Sequence, residues 1–284
     1  MNDKQEQEST KVVPCPVCGA IEHAHWATES GFHVVRCHSC RFIYLNPRPC
    51  DEIRNQATQL GSHAALEGSD MTERHSPSKV QQYERLLKSI LGEVWAARRP
   101  IRWLDVGAGY GEVVEAVTLL APPGSTVQGL EPMIPKVEFA KKRGITLRPE
   151  FLGPEVGKFD FVSSINVLSH VNDPRDFIRK LSAALAPGGD LVIETGDMGD
   201  VQDRSQFPGI LDLPDHVGFA TRDNVVSMCE DVGLRIIGTE QLRIDGFSFL
   251  AKSVVKRMIG RSSMIAVPYR SPYRRLIVRA RLDQ

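Results

Sequence analysis

The chain has 284 residues, 42% hydrophobic and 25% charged, with 35 basic and 35 acidic side chains in balance. That composition is ordinary for a globular protein and excludes a disordered chain; the lack of any run of about 18 apolar residues excludes a membrane-spanning helix. Zero net charge speaks against a chain built to grip nucleic acid, and the polar opening MNDKQEQEST, without the apolar core of a signal peptide, predicts a cytoplasmic protein.

Residues 1–11 read as a disordered tail and residues 12–49 as a compact Cys/His-rich module. Cys15-Pro16-Val17-Cys18-Gly19 has the form of a knuckle, and Cys37-His38-Ser39-Cys40 follows after an eighteen-residue gap. Two Cys-x-x-Cys pairs at that separation predict a tetrahedral zinc ribbon; four thiolates leave no open position, so the metal is structural and His38 is a surface residue. Within the module, 32–36 reads as a hairpin strand, 42–45 as a strand beneath the metal and 46–49, Asn-Pro-Arg-Pro, as the closing turn. Residues 50–98 form a helical linker or cap. The stretch 50–75 is polar without a clean period, and a helix is predicted over 78–97 from the apolar stripe Val80, Tyr83, Leu86, Leu87, Ile90 and Val94.

From 99 to 284 the segments alternate. Strands are predicted over 101–106, 126–130, 145–148, 159–165, 190–194, 234–239 and 276–281, with helices over 112–120, 135–143, 174–186 and 221–231. Such alternation predicts an α/β fold: a doubly wound, mostly parallel, seven-stranded Rossmann-like sheet carrying the zinc module as an N-terminal appendage.

The first of these strands runs into Asp105-Val106-Gly107-Ala108-Gly109-Tyr110-Gly111. Glycines at a strand-to-helix turn let a ligand approach the backbone. The spacing is Gly-x-Gly-x-Gly, with Glu112 where a dinucleotide fingerprint requires glycine. Asp105, two residues before Gly107, would repel a pyrophosphate and would suit a ligand bearing a cationic amine and a sulfonium. Glu131-Pro132 ends the next strand, 26 residues after Asp105, where a carboxylate can accept hydrogen bonds from ribose hydroxyls.

In these segments the sequence resembles the class I methyltransferases that use S-adenosylmethionine (SAM), and in 41–49 it resembles the bacterial group with an N-terminal zinc segment. That group includes sugar C-methyltransferases and natural-product enzymes. The likeness runs from 101 to 233 and takes in Asn166-Val167-Leu168-Ser169-His170-Val171 and Leu185-Ala186-Pro187-Gly188-Gly189. It implies that Asp105, Gly107, Gly109 and Gly111 hold the methionine part of SAM and that Glu131 and Pro132 hold the ribose. It places Glu150 and Phe151 beside the adenine, and Asn166 and Val167 beneath the sulfonium. Ser169 stands where the family carries an acid.

Leu213-Pro214-Asp215-His216-Val217-Gly218-Phe219 resembles the family's "His-x-x-Phe-Thr/Ser" segment over the substrate pocket. Histidine titrates near working pH, which makes His216 the first candidate for a general base and His170 the second. The resulting expectation is methyl transfer from SAM to oxygen or carbon of a small molecule, sugar or glycan precursor. A zinc-finger RNA methyltransferase and a catalytically inactive SAM-binding protein stay open as alternatives. From Arg235 onward eleven basic side chains face three acidic ones, an excess that could touch an anionic membrane surface peripherally, together with the stripe Phe247, Leu250, Val254 and Met258.

Overall fold

A computed structural model describes residues 10–63, 69–70, 75–207, 210–243, 247–258 and 273–283. The expected tail of residues 1–11 lies outside them up to residue 9. Its last two residues form strand β1 (Thr10–Lys11), which pairs with β5 (Arg48–Pro49). Strands β2 (His23–Glu29), β3 (Phe32–Cys37) and β4 (Ile43–Leu45) lie between. Helix α1 (Asp51–Leu60) and a two-residue hairpin, β6 (Ser62–His63) and β7 (Ser69–Asp70), follow. The predicted long helix is broken: α2 (Pro77–Ile90) ends where Leu91, fully buried, leaves helical geometry at φ −131°, and α3 (Gly92–Ala97) resumes.

The remaining elements are β8 (Arg102–Val106), α4 (Glu112–Leu120), β9 (Thr126–Leu130), α5 (Ile134–Lys142), β10 (Phe159–Ile165), α6 (Pro174–Ala183), β11 (Leu185–Asp197), β12 (Gly218–Phe219), α7 (Arg222–Glu230), β13 (Leu234–Arg243), α8 (Phe247–Met258) and β14 (Arg274–Leu282). Their ends carry ordinary signals. Asp173 caps α6 by accepting from the Asp176 N–H with Pro174 at the first helical position, and Thr221 and Asn224 form a capping box on α7.

The central sheet has the order β13-β14-β11-β10-β8-β9. β8 to β11 run parallel, and β14 is antiparallel to both neighbours. The seventh strand expected at 145–148 shrinks to one parallel bridge, Leu130 to Arg148, at the outer edge of β9. One sheet face packs Trp103, Phe161 and Val192 against Val80 and Leu87 of α2 and Val113 and Val117 of α4. The other packs Leu104, Val162 and Ile193 against Ile178 of α6 and Val225 and Met228 of α7, and that core continues without a break into Cys15, Val17, Cys37, Phe42 and Tyr44. The cysteine module is therefore packed onto the α/β domain by shared apolar burial.

The module's own sheet has the order β12-β4-β3-β2, so a strand from the far end of the chain completes it: Gly218 pairs with Tyr44 and Phe219 with Ile43. The basic excess after Arg235 is partly consumed inside the fold. Arg279 and Arg281 both grip the buried Asp190, at 2.5 to 2.9 Å, and Arg275 grips the buried Glu194 at 2.5 and 2.9 Å. These β14 arginines are not available as a free cationic face. Residues 259–272, which carry two more of the basic side chains, lie outside the described residues.

Candidate active site

β8, β9, β10 and β11 open their carboxyl ends at one edge of the sheet, where open α/β sheets take ligands. The glycine turn after β8 is stitched to β9: the Gly107 and Ala108 amides donate to the Leu130 carbonyl at 2.8 and 2.9 Å. Gly107 has φ +74°, and a Cβ there would stand 2.3 Å from Val167 Cγ2. Glycine is required at 107 because the loop after β10 packs directly on the turn. Asn166 in that loop is left-handed at φ 58°, which asparagine tolerates, and its N–H donates to the Glu194 carbonyl at 2.8 Å.

Two carboxylates frame the turn. Asp105 is 1% exposed; it accepts from Ser163 Oγ at 2.5 Å, which in turn accepts from Trp103 Nε1 at 2.9 Å. Burial raises the Asp105 carboxyl to about 7; the Ser163 hydrogen bond opposes this, and the negative charges of Glu131 and Glu112 add to it. Glu131 is also buried, and burial pushes its carboxyl upward against the pull of Met133 N–H, Lys136 and Gly109 N–H. Its oxygens accept from Gly109 N–H at 2.6 Å and Met133 N–H at 2.9 Å, so it braces the turn as well as facing the crevice. Both acids gain when a positive charge arrives.

Pro132 and Gly109 are half-buried beside Glu131, and Gly111 is buried as the left-handed residue before α4. Glu150 and Phe151 follow the Arg148 bridge and are exposed, with Glu150 paired to Arg148. Tyr83 of α2 reaches toward the same end of the sheet. Burial and the charges of Glu194, Asp105 and Glu112 hold its phenol above the usual range.

The two candidate histidines meet. His170 ends a short 3₁₀ turn after β10, and His216 lies just before β12; their ring centroids are 4.4 Å apart. Sequence adjacency would pair Asp215 with His216, but its carboxylate instead lies 3.2 Å from His170 Nδ1. The Nδ1 atom of His216 lies 2.9 Å from the Leu211 carbonyl, a geometry in which Nδ1 carries the proton and Nε2 keeps its lone pair. Burial, then repulsion from His170, lowers His216 to about 4 despite the nearby Asp215. This replaces the expectation of a histidine titrating near neutrality: His216 is a neutral imidazole at working pH. The ligand atoms of His170, Asp215 and His216 lie within 4.8 Å of one another, but the Arg54 guanidinium bonded to this loop opposes a metal cation there.

At the other end of the loop's sheet the four cysteines converge. The sulfurs of Cys15 and Cys40, and of Cys18 and Cys37, are 3.5 Å apart, and all four lie within 4.8 Å. A tetrahedral cation with bonds of about 2.3 Å sets sulfur–sulfur edges of about 3.8 Å, so the donors fit one. Both knuckles close the same way: Gly19 N–H donates to the Cys15 carbonyl at 2.8 Å and Arg41 N–H to the Cys37 carbonyl at 3.1 Å, with φ 75° and 63°.

Sequence reasoning missed Arg54, buried on α1 and hydrogen-bonded to both histidine segments. It also missed His75, which lies between Glu112 and Arg143 beside the ring of Tyr110. Neither lies in an apolar pattern or a motif, so no local signal marks them.

Residues 78–239, more than half of the chain, match the family model described as "Methyltransferase domain". A tRNA U34 carboxymethyltransferase of Hahella chejuensis is 41% identical over 103 residues, covering 32% of this chain and 31% of its own. The mitochondrial ubiquinone biosynthesis O-methyltransferase of Arabidopsis thaliana is 31% identical over 106 residues, covering 34% of this chain and 32% of its own. The chain thus spans about a third of the length of these curated relatives. Among solved structures, a sarcosine dimethylglycine methyltransferase from Galdieria sulphuraria superposes with TM-score 0.54 at 18% identity, over 74% of this chain and 90% of that one. The [4+2]-cyclase SpnF superposes with TM-score 0.51 at 16% identity, over 70% and 81%. The central sheet has the fold of these solved structures. The chain belongs to the methyltransferase-domain family matched over residues 78–239.

Proposed function

We propose that the protein methylates an oxygen or carbon atom of a small molecule, sugar or glycan precursor. The observation that supports this reading is the Asp215–His170 pair beside His216, held on two loops next to the crevice. SAM, when bound, supplies an electrophilic methyl carbon on a sulfonium with a neutral leaving group. The chain's own residues supply the rest. Asp105 balances the positive charge of the donor, and Gly107, Gly109 and Gly111 give the turn its close approach. Glu131 and Pro132 take the ribose end, Asn166 and Val167 floor the reacting centre, and Glu150 and Phe151 rim the adenine end. Positioning of this kind is worth on the order of 7–11 kcal/mol in favourable cases.

A hydroxyl or carbon acceptor must also lose a proton. His170, oriented through Nδ1 by Asp215, presents Nε2 as the base. His216, neutral with its Nε2 lone pair free, accepts a hydrogen bond from the acceptor and aims it. The four cysteines hold a structural zinc, and the ribbon serves the acceptor side of the site, in a cytoplasmic protein. The test is transfer of labelled methyl from SAM to fractionated extract. Label in a small, protease- and nuclease-resistant product, lost in His170→Ala, supports the reading; label only in RNA overturns the acceptor class.

The relative acting on tRNA favours a second reading, an RNA acceptor. Against it, the shared segment covers 31% of that relative, and Arg275, Arg279 and Arg281 of β14 are turned inward to Glu194 and Asp190. Salt-sensitive RNA retention in a gel shift would favour the second reading.

A further inference from the structure

We propose that Arg54 is a positioning residue that locks the two histidine-bearing loops to each other; this rests on reading His170 and His216 as the acceptor-side pair. Arg54 is 5% exposed, on a helix that contributes one other buried side chain, Ala57. Among the described residues its hydrogen bonds all go to main-chain carbonyls. Nη1 donates to Pro214 at 2.7 Å, and Nη2 donates to His170 and, at 3.4 Å, to Asp215. Those acceptors belong to segments 45 positions apart in sequence. One carries the base and the other carries both the residue that orients it and His216.

Burying a guanidinium costs free energy, and burial holds Arg54 down at about 10 against the opposing charges of Asp215 and Asp51. A methionine or leucine at 54 would fill the same space more cheaply. What it could not do is bridge two loops through a rigid fork of donors, and a lysine ammonium lacks that planar fork. The helix is itself tied down at its start: Asp51 accepts from Lys11 Nζ at 3.0 Å and from Asn172 Nδ2, two residues beyond His170. Arg54 therefore works from a fixed base, and the geometry it sets is that of His170 relative to His216.

The test uses full-length, zinc-replete protein with ¹⁵N-labelled histidine: wild type, Arg54→Met and Arg54→Lys. Imidazole NMR reads the tautomers of His170 and His216, calorimetry reads SAM binding, and urea unfolding reads stability. In wild type His216 shows the single Nδ1-protonated tautomer that faces the Leu211 carbonyl. Arg54→Met is expected to lose that single tautomer and the His170–Asp215 signature while SAM affinity stays at the wild-type value; Arg54→Lys recovers them only in part. If Arg54→Met does not fold, Arg54→Lys decides, and wild-type imidazole patterns in either folded variant overturn the proposal. Failure of wild type to bind SAM would instead strike the methyltransferase reading and leave the imidazole result standing.

Discussion

The pH dependence of SAM binding tests the electrostatics of the crevice most directly. Asp105 is fully buried with a carboxyl raised to about 7, from an ordinary 3.8, and the donor brings positive charge. Binding selects the ionised carboxylate, so apparent affinity scales with the ionised fraction. That fraction is about one eleventh at pH 6 and about three quarters at pH 7.5, so affinity rises roughly eightfold between them. Calorimetry in two buffers of different ionisation enthalpy should show proton release on binding near pH 6.5. Asp105→Asn should bind weakly and with a flat profile, which separates Asp105 from Glu131, also raised by burial. The same shift has a stability consequence of definite sign. A carboxyl whose folded pKa is raised contributes stability that is complete below its unfolded pKa and is lost as pH rises through the folded one. The loss amounts to on the order of 4 kcal/mol across pH 4 to 7. Ligand-free Asp105→Asn should therefore melt higher than wild type at pH 8 while binding SAM less well. An equal pH slope in wild type and Asp105→Asn, or none in wild type, refutes the reasoning.

Three further outcomes follow from the site. His170→Ala and Asp215→Asn should each lower turnover by about 10²–10⁴-fold without changing SAM affinity; rates within twofold of wild type would remove the pair as the base. The purified protein should carry about one zinc per chain. Stripping it with chelator should speed hydrogen exchange in 213–219, whose strand β12 is paired to β4, while β8 and β10 stay protected; unchanged exchange there would detach the ribbon from the loop. Gly218→Ala places a Cβ 2.7 Å from Phe42 Cζ and should cost about 1–3 kcal/mol in urea unfolding. The smaller ring space of Phe42→Leu should recover part of that loss, and additive effects of the two changes would contradict the contact.

What was legible in the sequence is what backbone and burial dictate locally. β10 is buried at six of its seven positions, as a central parallel strand must be, and its apolar run shows that directly. The glycine turn and the acids Asp105 and Glu131 stand at places fixed by strand ends. The four cysteines are legible because two Cys-x-x-Cys knuckles are a local pattern, and the fold brings their sulfurs together. What was hidden depends on distant partners. Helix α1 escaped notice because its buried face is Arg54 and Ala57, which gives no hydrophobic period. β12 is two residues long and exists only because β4 offers an edge. The arginines of β14 looked like a basic surface until the register with β11 set Arg281 opposite Asp190 and Ile277 opposite Glu194, bringing their partners into reach. The 145–148 segment read as a strand because it is apolar at Ile145 and Leu147, yet Ile145 packs under the turn at Gly111 and leaves one bridge.

The proposed acceptor class turns on what an oriented histidine would contribute to methyl transfer. A neutral amine attacks a sulfonium methyl with its own lone pair, and its proton leaves afterwards to water, so an amine acceptor has little use for an Asp–His pair in the transition state. A hydroxyl or an acidic carbon is a poor nucleophile until the proton goes, and there a placed base contributes to the barrier itself. The fold cannot decide this, since it also superposes on a cyclase. The proposal leans on the loop geometry: a carboxylate 3.2 Å from His170 Nδ1, a second imidazole kept neutral by burial, and a guanidinium joining the two segments. Neutral His216 can receive a hydrogen bond from a hydroxyl but cannot repel the proton arriving on His170.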